Sequence, residues 1–161
     1  MGVIKRTTSD DLDFIQLVEL LDKDLADRDG EDHGFYAQFN AISHLKHTIV
    51  LYIGNKAVAC GALKAFDKTA MEIKRMYVMP EFRGKSFATT ILKELEHWAA
   101  ELGYSKCVLE TGKRQPEAIA LYQKNGYRII PNYGQYQGIV NSVCFEKDVY
   151  SALKTKSNEK N

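Results

Sequence analysis

The chain of 161 residues has no run of about 18 consecutive apolar residues, the length a helix needs to cross a bilayer, and no apolar leader core near its start. Neither a membrane span nor a signal peptide is expected, and a cytoplasmic location follows by default. Cysteine is scarce. Cys60, Cys107 and Cys144 stand alone inside apolar runs, without the spacing of a disulfide framework or a zinc site, and read as buried thiols in a reducing compartment. Charge of one sign is missing too: 22 basic against 21 acidic residues leave +1, which gives no support for a broad nucleic-acid or membrane surface. Small-molecule or peptide substrates fit better. No internal repeat or linker divides the chain, and its length suits one hydrophobic core. The reading is a single domain over residues 1–150 and a polar, lysine-rich tail over 151–161.

Metal chemistry lacks its ligands. His44 and His47 have no third partner at a recognisable spacing, so surface histidines are the plainer reading. Asp27, Asp29 and Gly30 hint at a calcium loop, but its first ligand position would be Leu25 and its twelfth Tyr36. No metal is expected.

What is present is a mixed α/β pattern. Residues 3–7 suit a strand, and Thr8 with Asp11 suits a capping box that opens a helix with Phe14, Leu17, Val18, Leu21 and Leu25 on one face. Residues 27–33 are acidic and read as a loop, and 35–45 as a short helix. Strands over 48–53, 57–66 and 71–79 are joined at Gly54-Asn55 and Asp67-Lys68-Thr69 as an antiparallel meander. A long helix carries Phe87, Ile91, Leu95, Trp98 and Leu102 on one face and stops at Gly103. A strand at 106–110, a helix from Pro116 to about Asn125-Gly126, and strands at 127–130 and 140–146 complete the order β-α-α-β-β-β-α-β-α-β-β. A parallel crossover near the middle follows from that order.

The richest stretch is 72–88, where a β-rich run ending Met76-Tyr77-Val78-Met79-Pro80 turns through Arg83-Gly84-Lys85-Ser86-Phe87-Ala88 into the long helix. A helix start after a basic loop gathers free N–H groups and the positive end of the helix dipole, which suits a diphosphate. A nucleotide P-loop would need glycine at Met79, and a dinucleotide fingerprint would need three glycines and a later acidic residue. The pattern Arg/Gln-x-x-Gly-x-Gly/Ala after a Tyr-Val-x-Pro strand end, which the chain meets at Arg83 and Ala88, resembles the pyrophosphate loop of the GNAT superfamily of acyl-CoA N-acyltransferases, with Ser86 where that family usually has glycine. A second segment, Ala118-Ile119-Ala120-Leu121-Tyr122 running to Gly126-Tyr127, is similar to the family's Ala-x-x-Leu-Tyr signature. Gln115 stands where many relatives carry an asparagine on the pantetheine arm. The resemblance implies a mostly antiparallel six- to seven-stranded sheet splayed at strands 4 and 5 and flanked by four helices. It also implies acetyl-CoA as co-substrate.

An amine with a pKa of about 10.4 is ammonium at pH 7 and must lose a proton before attacking a thioester. The resemblance assigns that work to Glu72 on the fourth strand; a structural carboxylate paired with Lys74, Arg75 or another buried partner is the competing reading. Strict alternation puts Glu72, Lys74, Met76 and Val78 on one side if no bulge intervenes. The resemblance further implies Met76 N–H as oxyanion donor and Tyr122 as donor to the departing thiolate, with a packing tyrosine as the alternative for Tyr122. Met76, Tyr77 and Val78 would hold pantetheine through their backbone, and Arg83, Gly84, Lys85, Ser86, Phe87 and Ala88 the pyrophosphate. No cysteine has a covalent role. The acidic residues Asp27, Asp29, Glu31 and Asp32, or Tyr133 and Tyr136 beside Gly134, could face a cationic acceptor, although such runs are more often solvated. The implied function is acetyl transfer to a primary amine of a small molecule or peptide in a ternary complex. A non-catalytic acyl-CoA sensor and a nucleotide-binding protein are the rivals, and a homodimer through the last strands or first helices is a candidate assembly.

Overall fold

The computed structural model describes residues 2–30 and 44–150. Its strands are β1 (Val3–Thr7), β2 (His47–Ile53), β3 (Lys56–Ala65), β4 (Ala70–Val78), β5 (Lys106–Gly112), β6 (Arg128–Ile130) and β7 (Ser142–Asp148). They form a seven-stranded sheet in the order β1-β2-β3-β4-β5-β7-β6. The helices among the described residues are α1 (Leu12–Asp29), α2 (Phe87–Glu101) and α3 (Pro116–Lys124). Most of the helix expected at 35–45 lies outside the described residues, as do Glu31, Asp32 and the tail. The chain packs as two compact units, Met1–Lys64 with Lys74–Leu95, and Ala65–Ile73 with Glu96–Asn161.

In the first unit β1 pairs antiparallel with β2, Val3 opposite Tyr52, and β2 with β3 through a two-residue turn in which Gly54 takes φ +60°. Phe14, Leu17, Val18 and Leu21 of α1 are buried with Val50, Cys60, Ala62 and Tyr77, and Leu25 packs against them, so the apolar face lies as its spacing indicates. The cap differs from the expected one. Asp11, not Thr8, accepts the N–H groups of Asp13 and Phe14, at 2.9 and 3.1 Å, because Asp11 directly precedes the helix. The expected loop at 27–33 is corrected over 27–29, since α1 runs through Asp29 and its end is set by Gly30, at φ +55°, while residues 31–33 lie outside the described residues.

Helix α2 approaches β3 where Gly61 sits. A Cβ at Gly61 would lie 2.8 Å from Ile91 Cγ2, 2.9 Å from Leu95 Cδ1 and 3.0 Å from Met76 Sδ, so only glycine fits under the helix. The buried stripe of α2 is Ile91, Leu92, Leu95, Glu96, Ala99 and Ala100. Phe87 and Trp98 are half-buried and Leu102 is 41% exposed, which narrows the expected face.

In the second unit β4 and β5 pair in parallel at Ala70–Lys106, Met71–Cys107 and Glu72–Val108. Strand β7 pairs antiparallel with β5 over 106–112 and with β6 over 128–130. The turn into β4 is held by Asp67, whose Oδ1 accepts the N–H groups of Thr69 and Ala70, both at 2.8 Å, and these bonds keep its carboxyl below the usual range. Gly103, at φ +95°, ends α2 with Tyr104 N–H on Ala99 O at 3.0 Å.

Candidate active site

In the first unit the end of β4 runs through a 3-10 turn, Pro80–Phe82, into the basic loop. Arg83 ties that loop back to the strand: its Nε donates to Val78 O at 2.9 Å and its guanidinium lies 5.6 Å from the Tyr77 ring centroid. Gly84 and Ser86 both take positive φ, +77° and +67°. The first helical bond of α2 is Thr90 N–H to Ser86 O at 3.1 Å, so the N–H groups of Phe87 and Ala88 precede the ladder at the positive end of a 15-residue helix. Lys85 is exposed beside Phe82. This donor set fits a diphosphate. At Ser86 the issue is conformational rather than crowding: a side chain in the left-handed region costs about 1–2 kcal/mol, which is why glycine is the natural occupant.

Arg75, three residues past Glu72, is with Ser86 one of two non-glycine positions at positive φ among the described residues, at +59° inside β4. Its guanidinium, 3% exposed, bonds Asp22 of α1 at 2.7 Å, while its Nε and Nη1 have no hydrogen-bond partner. Tyr77 packs in the α1 core, and Met76 Sδ lies on the α2 side beside Gly61. The positive φ at Arg75 departs from the regular strand that strict alternation assumes. Arg75 pairs with Asp22 rather than with Glu72.

The second unit carries the buried acid. Glu72 is 7% exposed, sits at the Glu72–Val108 rung, and accepts a hydrogen bond from Tyr133 Oη at 2.6 Å. Tyr133 lies edge-on to Phe66, with centroids 4.8 Å apart, and to Tyr136, 5.8 Å apart. Burial, and then the Glu72 charge, push the Tyr133 phenol far up, so it stays a donor. Tyr122 is buried against Tyr127 and Phe145, each 5.8 Å away between centroids, and burial followed by the charge of Glu110 raises its phenol well above 10. A protonated phenol there can donate and cannot serve as a base. Gln115 stands at the start of α3 without a side-chain cap bond, its Nε2 3.8 Å from where a Cβ on Gly112 would be.

The sequence reading singled out Glu72, Tyr122, Tyr133 and Tyr136 separately; it missed the bond between Tyr133 and Glu72 and the influence of Glu110 on Tyr122 and Tyr136. It also missed a buried set in which Glu96 accepts from Lys147 Nζ and Tyr127 Oη, both at 2.9 Å. Buried polar pairs far apart in sequence leave no periodic signal. The cysteines are all buried, and burial pushes Cys60 and Cys107 up to about 12 and Cys144 to about 11, which makes them poor nucleophiles. No group of three metal-capable side chains occurs among the described residues.

Comparison with known proteins bears on the family and the fold. The family model described as Acetyltransferase (GNAT) family matches residues 14–127. The IAA acetyltransferase of Azospirillum brasilense is 31% identical over 137 residues, 83% of this chain and 88% of that protein. A Klebsiella pneumoniae protein assigned as an acyl-CoA N-acyltransferase has a crystal structure that superposes with TM-score 0.78 at 29% identity, over 92% of this chain and 98% of that one. A GNAT acetyltransferase of Elizabethkingia anophelis, solved with acetyl-CoA bound, shares the fold at TM-score 0.65 and 20% identity, over 91% and 97% of the two chains.

Proposed function

The chain belongs to the GNAT acetyltransferase family, whose co-substrate is acetyl-CoA, and we propose that it moves acetyl to a primary amine of a small molecule or peptide by direct attack in a ternary complex. The observation that carries the proposal is the buried Glu72 carboxylate, which can take the ammonium proton. Residues 83–88 take the pyrophosphate, the backbone of Met76, Tyr77 and Val78 the pantetheine, and Gln115 a polar group of that arm. The freed amine nitrogen bonds the thioester carbon, and Met76 N–H receives the oxyanion. As the C–S bond breaks, Tyr122 gives its proton to the thiolate and regains one from the nitrogen. Glu72 returns its proton to water, so the sum is amide, free CoA and one released proton.

We also place the protein in the cytoplasm, in keeping with three buried free thiols and with no helix among the described residues long and apolar enough to cross a membrane. A homodimer through the last strands or first helix is supported by Ile129 and by Leu12 and Leu20, all exposed; light scattering that gives one chain per particle would remove it.

The test is incubation with acetyl-CoA and a pool of amino acids, polyamines, amino sugars, aminoglycosides and short peptides, read by mass spectrometry for products one acetyl heavier. A product lost in Glu72→Gln names the acceptor and supports the base. Acetyl-CoA binding with no product across the pool favours the sensor reading.

A further inference from the structure

Tyr133 has no part in the chemistry above, yet its loop is built to aim it. The side-chain Nδ2 of Asn132 donates to Ile139 O at 3.0 Å and to Ser142 O at 3.1 Å, cross-bracing the connection from β6 to β7. Tyr136 N–H closes on Tyr133 O at 2.9 Å, which makes a tight turn directly after the tyrosine. The rings of Phe66 and Tyr136 then fix the Tyr133 ring, and its hydroxyl reaches a residue 61 positions earlier in the chain.

We propose that Tyr133 is a positioning residue for acyl transfer: its hydroxyl holds the Glu72 carboxylate in the one orientation from which it accepts the proton of the incoming amine. The proposal rests on Glu72 being the base. Burial strips water from a carboxylate, and a donor held in place by the fold replaces part of that solvation from one fixed direction. The 2.6 Å separation is that of a short, well-formed hydrogen bond. Being raised by burial as well as by Glu72, the phenol does not compete as an acid. The loop thus does for Glu72 part of what a carboxylate does for the histidine of a catalytic triad, which is to fix its orientation.

Two single variants and their combination test this, read by release of free CoA thiol from acetyl-CoA, with the amine pool and with water alone as acceptor. Tyr133→Phe keeps the ring contacts and removes one oxygen. It is expected to lower kcat about tenfold, the loss that accompanies one missing charge-assisted hydrogen bond, with the KM for acetyl-CoA and the melting temperature held. Glu72→Gln is expected to lose more, and adding Tyr133→Phe to it should change nothing further, because a residue acting through another has no effect once that other is gone. If Glu72→Gln is slow while Tyr133→Phe turns over as the parent does, the positioning role is overturned and the base stands. Additive losses in the double variant overturn it too, by giving Tyr133 a role of its own. A Glu72→Gln protein with the parent's rate removes the base and the positioning role together.

Discussion

Glu96 and Glu72 are both buried carboxylates, 3% and 7% exposed, and they are held in opposite ways. Glu96 takes a lysine ammonium on one oxygen and the Tyr127 hydroxyl on the other, and Lys147 also lies over the Tyr127 ring at 5.6 Å. Its charge is neutralised on the spot, by groups on β7 and at the end of α3 that it ties to α2. Glu72 takes a phenol from a braced loop. Burial of a carboxylate therefore does not by itself mark chemistry. The lysine and phenol on Glu96 make a structural tie, whereas the phenol on Glu72 comes from the tight turn that follows β6.

Substitutions can pull that contrast apart. The largest effect is expected from Glu72→Gln: thiol release should fall by about 10²- to 10⁴-fold, the usual worth of a general base, with a melting temperature close to the parent's. Loss of fold together with activity would make Glu72 a second Glu96. The mirror substitution, Glu96→Gln, should cost about 3 kcal/mol in a urea titration, toward the low end for breaking a buried pair because Lys147 is partly exposed, while acetyl-CoA still binds in the cold. Should activity vanish with stability intact, the two glutamates would have to exchange roles. Tyr127→Phe removes a phenol from Glu96 as Tyr133→Phe does from Glu72; about 1.5 kcal/mol of stability should go, with kcat held at temperatures where the protein remains folded. The smallest effect belongs to a carboxylate at a helix start. Burial raises the Asp11 carboxyl, but Lys5 and the Phe14 N–H outweigh that and bring it below 3.8. Its contribution is thus present above that value and lost as pH falls through the lowered one. Asp11→Ala should cost about 1 kcal/mol at pH 7, and the gap between the two melting curves should close as pH falls through the lowered value.

The elements built from neighbouring residues were legible in advance. The apolar spacing of α1, the strand-to-loop-to-helix passage at 72–88 and the Gly103 stop all act within a few turns of chain, so periodicity and turn chemistry reveal them. Where charge was taken for solvent exposure, the reading slipped. The acidic end of α1 is helix, steadied by Asp24 with Arg28 one turn on, and Glu96 is polar in sequence yet interior. The site was half readable: a helix start after a basic loop announces an anion, but Tyr133 with Glu72 and Arg75 with Asp22 join residues 61 and 53 positions apart. Only the folded sheet brings such pairs together, and the positive φ at Arg75 departs from the regular strand that the alternation rule assumes.

Ser86 has a last consequence. A serine has fewer backbone states than a glycine when the chain is unfolded or loose, so part of what it loses to a left-handed φ returns as order already present in the free loop. Less freedom then remains to be surrendered when a diphosphate docks. Relative to a glycine at the same place, and on the proposed pyrophosphate role, Ser86 should give a loop that binds with a smaller entropic penalty and a larger share of its affinity ready before the ligand arrives.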